Sequence, residues 1–177
     1  MKVTAILSFP IPTDARVKVK TGDLVDKNEI VAVSPEVTTP FKGKIGQIRE
    51  NSFDLSFPAV EIKGKWSSGQ ETHGELLCFG TLSADVHEIQ TPAQKKILVV
   101  LGTIKQAFLY KAITLGICGL IVGNLDEHLK KDIEKEHLLT VSFEQEKIPE
   151  EDWQILKHNE NREALLSGSE AKILLPE

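Results

Sequence analysis

The pattern of polar and apolar positions changes character along the chain. In the first half the two alternate over short stretches bounded by turn residues. Residues 3–9 form an apolar run too short and too proline-punctuated for a signal peptide, without a small-residue cleavage site, and read as a first β-strand. Arg16-Val17-Lys18-Val19-Lys20 alternates strictly, and Thr21-Gly22-Asp23 follows as a turn in which Gly22 can take a positive φ without steric cost. Leu24-Val25 and Ile30-Val31-Ala32-Val33 read as further strands, joined by the polar Asp26-Lys27-Asn28-Glu29, with Pro35 closing the second. Beyond them Gly43, Gly46, Gly64, Gly69, Gly74 and Gly80 recur between β-favouring residues, the punctuation of a small, tightly turned sheet structure. No helical period survives here, so residues 1–84 are predicted to be all-β.

From residue 85 to 94 the composition turns polar, ending in Gln90-Thr91-Pro92, where the residue before proline is biased to an extended conformation; this segment reads as a linker. After it, continuous apolar runs alternate with helical patterns, the signature of strands buried on both faces in a parallel sheet with crossover helices. Ile97-Leu98-Val99-Val100-Leu101 is the first run. Ile104, Ala107, Phe108, Ala112 and Leu115 follow at helical spacing, and Gly116 stands where a helix end favours a left-handed residue. The strand 117–122 closes at Gly123-Asn124. Leu125, Leu129 and Ile133 mark one stripe of a short charged helix before the strand 138–143. Pro149 suits a first helical position, Glu150, Glu151 and Asp152 suit the positive end of the helix dipole, and Trp153 and Leu156 face inward. Ala164-Leu165-Leu166 and Ala171-Lys172-Ile173-Leu174-Leu175 finish the chain as strands around Ser167-Gly168-Ser169. The expected fold class is α+β overall: an N-terminal all-β domain over 1–84, then a small α/β domain over 95–177 with a mainly parallel sheet.

The segment 10–48 carries a recognisable set of motifs. They are Val19-Lys20-Thr21-Gly22-Asp23-Leu24-Val25, Ile30-Val31-Ala32-Val33, and Pro40-Phe41-Lys42-Gly43-Lys44-Ile45. Together they resemble the barrel-sandwich hybrid of biotinyl and lipoyl carrier domains: the glycine-aspartate turn, the strand before the carrier hairpin, and the return strand. The resemblance implies a lysine at the hairpin tip, where a covalent arm can sweep freely. Here the tip is Ser34-Pro35-Glu36-Val37-Thr38-Thr39, which has none, and the nearest, Lys42, lies in the return strand and reads as a solvated strand-face residue. Covalent biotin or lipoate is therefore not expected. Members without the lysine serve as structural or docking modules, which implies interaction rather than chemistry, although fold alone licenses no activity. In the second half, Lys96-Ile97-Leu98-Val99-Val100-Leu101-Gly102-Thr103 and Leu115-Gly116-Ile117-Cys118-Gly119-Leu120-Ile121-Val122 are loosely similar to protease-associated and swivelling-type α/β domains, a pattern common to many βαβ units.

Composition narrows the function classes. Of 177 residues, 41% are hydrophobic and 27% charged, which places the chain among packed globular proteins and away from disorder. The net charge of −5 supplies no basic field to gather phosphates, so no nucleic-acid partner is expected. Cys78 and Cys118 stand in separate segments with no Cys-x-x-Cys pair, which argues against a disulfide framework and a zinc site. No stretch approaches the roughly 20 apolar residues that cross a bilayer. No membrane association and a cytoplasmic location are the expectations.

In open parallel sheets ligands bind beyond the C-terminal ends of the strands, where loops and helix N-termini present unpaired N–H groups. That rule selects Gly102, Thr103, Gly123, Asn124 and Glu144. The two glycines would allow close backbone approach, Thr103 and Asn124 could bond a ligand or cap the following helices, and Glu144 could accept from a hydroxyl or amine; plain capping is the simpler reading. Neither a dinucleotide fingerprint nor a P-loop occurs. His128 and His137 lack the spacing that puts two ligands on one helix face. Cys78 and Cys118, flanked by apolar residues, read as inert buried thiols. His73, assigned to a turn near Trp66, could pair with Cys78 as a nucleophile, but no third group orients them. Trp66 either plugs the core of the β-domain or anchors an interface, and core closure is the simpler reading.

No catalytic, cofactor-binding or metal-binding residues are assigned. The leading expectation is a non-catalytic binding or assembly protein with a protein partner or a homodimer, for which Ile173-Leu174-Leu175 would offer an exposed sheet edge. The alternative is an enzyme or small-metabolite sensor with its ligand at the strand-end loops. Mass spectrometry of the protein from its native cells tests the missing attachment point: every lysine in roughly the first sixty residues, a span set by the β-rich segment, should be free of biotinyl or lipoyl mass, and one such adduct there would overturn the reading.

Overall fold

The computed structural model describes residues 1–89 and 93–177. The proposed conformation of Gln90-Thr91-Pro92, and with it the core of the expected linker, lies outside the described residues. The fold is mixed α+β, dominated by strands, with 44% of residues in them and three helices among the described residues. Two compact units form, Met1–Val60 with Pro176–Glu177, and Glu61–Leu175.

The first unit is built on period two. β1 (Lys2–Pro10) pairs antiparallel with the first nine residues of β7 (Ser52–Lys63), setting Val3 opposite Ala59, Ala5 opposite Phe57, Leu7 opposite Leu55 and Phe9 opposite Phe53. Because side chains alternate between faces, these odd-numbered positions share the inner side, where Phe53, Leu55, Phe57 and Ala59 are fully buried. β6 (Gly43–Arg49) pairs with β7 on its other side, and β3 (Leu24–Val25) pairs with β6. A second, three-stranded sheet holds β2 (Arg16–Val17), β4 (Ile30–Val33) and β5 (Val37–Thr38) in the order β2-β4-β5. Phe41 packs against Phe57 with tilted rings at 4.9 Å between centroids and meets Phe9 edge-on at 6.4 Å. The 21–23 turn forms as expected, with Gly22 at φ +98°. Thr39 pins the next turn: fully buried, its hydroxyl donates to the Asp26 carbonyl at 2.5 Å and accepts from the Glu29 N–H at 3.1 Å.

The second unit centres on four parallel strands. β9 (Glu71–Phe79), β11 (Lys96–Val100), β13 (Gly119–Val122) and β14 (Leu139–Ser142) lie in that order and in parallel. Antiparallel strands flank them: β8 (Trp66–Ser68) beside β14, and β15 (Glu163–Ser167) beside β9, followed by β16 (Lys172–Pro176). The sheet is therefore mixed, not mainly parallel, because the returning C-terminal hairpin and the short β8 cannot supply crossovers. β10 (Ser83–Ala84) and β12 (Thr103–Ile104) add a small parallel pair. α1 (Gln106–Thr114) and α2 (Glu127–Lys135) bury Phe108, Leu109, Ala112, Leu129 and Ile133 in a cluster that takes Leu98, Val100, Leu120 and Val122 from the sheet and reaches Leu77 and Phe79. Cys78, pointing to the opposite face, meets the Leu156 carbonyl of α3 (Glu150–His158), so α3 covers the other side. Phe108 and Ala112 are buried on α1 as expected, but Ala107 is exposed and Leu109 takes its place on the inward stripe. Gly116 ends that helix at φ +76°.

Two departures share one cause. Residues 61–84 join the second unit, because Leu76-Leu77-Cys78-Phe79 is itself a continuous apolar run and pairs residue for residue with β11. The expected linker is partly core as well, since Ile89 and Ala93 are buried in the helix-facing cluster. Trp66 packs against that same cluster, closing the core of this unit rather than that of the β-rich one, and His73 lies in β9, not in a turn. Ile173, Leu174 and Leu175 are buried, and β16 has a hydrogen-bonded neighbour on each side, so it offers no open edge to a twin.

Phe108 is fully buried and meets Phe79 edge-on at 5.9 Å. Phe108→Ala should lower the unfolding free energy by about 3–5 kcal/mol, seen as a lower urea midpoint at unchanged slope.

Candidate functional site

The five strand-end residues do gather at one end of the parallel strands, but the groups that would greet a ligand are already used. The Gly102 N–H donates to Thr81 O at 3.1 Å and that of Thr103 to Leu82 O at 2.9 Å. The N–H groups of Gly123 and Asn124 both donate to Gly102 O, at 2.8 and 3.3 Å. Glu144 donates its N–H to the Ser142 hydroxyl at 3.2 Å. An anion site of this kind depends on open N–H groups, and all five have acceptors within the protein.

The side chains have local work too. A Cβ on Gly102 would lie 2.2 Å from the Leu82 carbonyl oxygen, so this glycine serves close packing of the 81–83 segment. Thr103 donates to Leu82 O at 3.3 Å, and the Asn124 carboxamide oxygen accepts from the Leu125 N–H at 2.9 Å. Neither residue caps a helix. α1 starts after Lys105, which makes no side-chain cap, while Asp126 caps α2 by accepting from the Leu129 N–H at 2.8 Å. Glu144 accepts from Lys130 Nζ at 2.9 Å; Glu127 takes the same ammonium at 3.0 Å, and the Trp66 ring lies 5.4 Å from it. Hydrogen bonding to Glu144, then to Glu127, raises the Lys130 pKa above its ordinary value.

The larger cavities open at the other end of the parallel strands. One of about 480 Å³ is lined by Gln70, Glu71, Thr72, Cys118, Glu136 and His137; another of about 510 Å³ by His73, Glu75, Lys95, Lys96, Cys118 and Glu163. Cys118 lies on both. The strand-end rule could not find this region, since it looks only to the C-terminal ends of parallel strands. Among the described residues no group of three or more His, Cys, Asp or Glu side chains is placed to hold a metal. His128 instead approaches Asp132 at 3.9 Å and Gln106 at 3.4 Å.

The thiols are not set up as nucleophiles. Cys78 and His73 stand five places apart on β9 and so point to opposite faces; it is Cys118 that donates, at 3.4 Å, to the backbone carbonyl of His73. Burial, assisted by the Glu160 carboxylate, pushes the Cys78 thiol up to about 12, and burial raises Cys118 as well.

On the β-rich unit, β4 and β5 form an antiparallel hairpin whose tip, Ser34-Pro35-Glu36, is exposed. Lys42 stands just before β6, pairs with Asp26 at 2.9 Å, and is held above its ordinary pKa by that hydrogen bond and charge. A mainly apolar hollow of about 330 Å³ adjoins it, lined by Leu24, Val25, Gly43, Ser56 and Pro58. Comparison with family models, curated proteins and solved structures found no match to this chain.

At pH 8 native Cys78 should react with a disulfide reagent on the order of 10³-fold more slowly than an ordinary thiol, and unfolding should release it. The sign for stability follows: between pH 9 and about 12 the unfolded chain gives up the Cys78 proton while the folded one keeps it, so this thiol stabilises the fold below that window and the contribution is lost as pH rises through it. Cys78→Ser should flatten that part of a chemical-denaturation pH profile.

Proposed function

We propose that the chain is a non-catalytic assembly protein that makes its contacts through the β-rich unit, a barrel-sandwich-like scaffold without an attachment lysine. The observation that carries this reading is the distribution of exposed apolar side chains. Of the seven large hydrophobics exposed among the described residues, Met1, Ile6, Val17, Leu24 and Ile30 belong to the β-rich unit, with Leu24 exposed to 81% and Ile6 to 66%. Single exposed apolar residues need no explanation; that five of the seven fall on one unit is what directs the interaction role to it. The resemblance noted in the sequence supports the scaffold reading: the segment where it would call for a lysine forms an exposed hairpin tip of serine, proline and glutamate.

The same proposal leaves the second unit as a structural partner. Its strand-end loops are closed by their own hydrogen bonds, and its two thiols are held protonated. Two free cysteines suit a reducing compartment, and a cytoplasmic location belongs to this reading. Among the described residues no helix is long and apolar enough to cross a membrane.

A small-metabolite sensor is the second reading, favoured by the two cavities that meet at Cys118. Light scattering over a wide concentration range, run beside a thermal-shift screen of common metabolites and metals, separates the two. Assembly requires a mass that rises with concentration and no saturable shift. A constant monomer mass with a saturable shift would install the sensor instead. Loss of that shift in Asn124→Ala with Glu144→Ala would place its ligand at the strand-end loops, and loss in Cys118→Phe at the cavities.

A further inference from the structure

The surface that assembles can be narrowed to one strand. β1 is nine residues long and regular, and among the described residues β7 is its sole strand neighbour. In an antiparallel strand every second residue turns its N–H and C=O away from the partner, so the outer side of β1 presents a row of such groups with no strand to bind. Natural edge strands are usually guarded by a central charge, proline or bulge. β1 has none of these in its interior: its one charge, Lys2, and its one proline, Pro10, are its two end residues. The outer-face position midway between them is Ile6, 66% exposed.

We propose that β1 pairs with β1 of a second copy, antiparallel about a two-fold axis at Ile6, which makes the protein an edge-to-edge homodimer; this rests on the assembly reading and gives it a surface and a partner. The strand's own sequence identifies the occupant. In that register Ile6 faces Ile6, Thr4 faces Ser8 and Lys2 faces Pro10 on the outer side, while Ala5 faces Leu7 and Val3 faces Phe9 on the inner. Apolar meets apolar, a pairing that stabilises cross-strand contacts, and Thr4 meets Ser8, whose hydroxyl already donates to Asp54. The two lysines fall at opposite ends of the joint, roughly 27 Å apart at the usual strand rise, so no like charges oppose each other. A slip of two residues sets Ile6 against Thr4 or Ser8 and leaves it no apolar partner on that face. The four-stranded order β3-β6-β7-β1 would then continue through the twin as β1-β7-β6-β3.

Sedimentation equilibrium of the full chain, with three cysteine variants and one lysine variant, tests this. The wild type should be a dimer that dissociates on dilution. Ile6→Lys opposes two ammonium groups at the axis and should weaken the dimer by at least about 10²-fold, with an unchanged far-UV spectrum because the side chain is exposed. Under mild oxidation Ile6→Cys should cross-link to itself, Thr4→Cys alone should not, and a mixture of Thr4→Cys and Ser8→Cys should join as a heterodimer. A wild-type dimer that survives Ile6→Lys, or cross-links in another pattern, would overturn the strand pairing and leave the assembly reading standing. A wild type that stays monomeric to about 1 mM, a regime of only weak affinity, would overturn both, whereas a monomer whose β1 proves to bind a peptide from another protein would overturn the homodimer alone.

Discussion

The parallel pairing of β9 with β11 is the constraint on which most of this structure turns. It draws residues 71–79 into the second unit, where Leu76, Leu77, Cys78 and Phe79 have neighbours on both faces. With β9 fixed beside β11, the 81–83 segment is carried over the end of the neighbouring strand, and the backbone of Gly102 and Thr103 is used to hold it. Closure of the strand-end loops is thus a consequence of where β9 sits. A sheet strand buried on both faces cannot leave its terminal N–H groups unmet, and here the chain meets them itself.

The two units are stabilised by different geometry. In the β-rich one a single inner face takes every second residue of β1 and β7, and its core is rich in phenylalanine: Phe9, Phe41, Phe53 and Phe57 are linked by ring contacts of 4.9 to 6.4 Å. The outer face is then free to carry Ile6, Leu24 and Pro58 beside polar neighbours. In the other unit helices cover both sides of the sheet, and its apolar residues are largely consumed inside. This division explains why, among the described residues, the exposed large hydrophobics fall mainly on the β-rich unit.

Electrostatics plays a supporting part. Lys130 is held between Glu127 and Glu144 with Trp66 near its charge, which fixes the loop after β14 to α2 and gives Glu144 a structural partner. Lys42 with Asp26 and Arg49 with Asp54, at 2.9 and 2.7 Å, are more open pairs and contribute little by themselves.

Local signals were readable from the residues alone. The first strand over 3–9, the turn at Gly22, the helix stop at Gly116, the inward Trp153 and Leu156, and the order of strands and helices after residue 95 depend on backbone preference and side-chain texture, which act over a few residues. What lay beyond reach was pairing between distant segments. The run 76–79 has the same apolar texture as the later parallel strands, but glycines on either side made it resemble a turn-rich β half, and nothing local says that it will lie beside β11. Gly102, Thr103, Gly123 and Asn124 were found as a group by the rule for parallel sheets, yet whether their N–H groups stay open was decided by the 81–83 segment and by each other's carbonyls. Sequence determined which elements form; only the tertiary structure decided which backbone groups remained to bind anything, because hydrogen-bond partners are assigned by contacts between residues far apart in the chain.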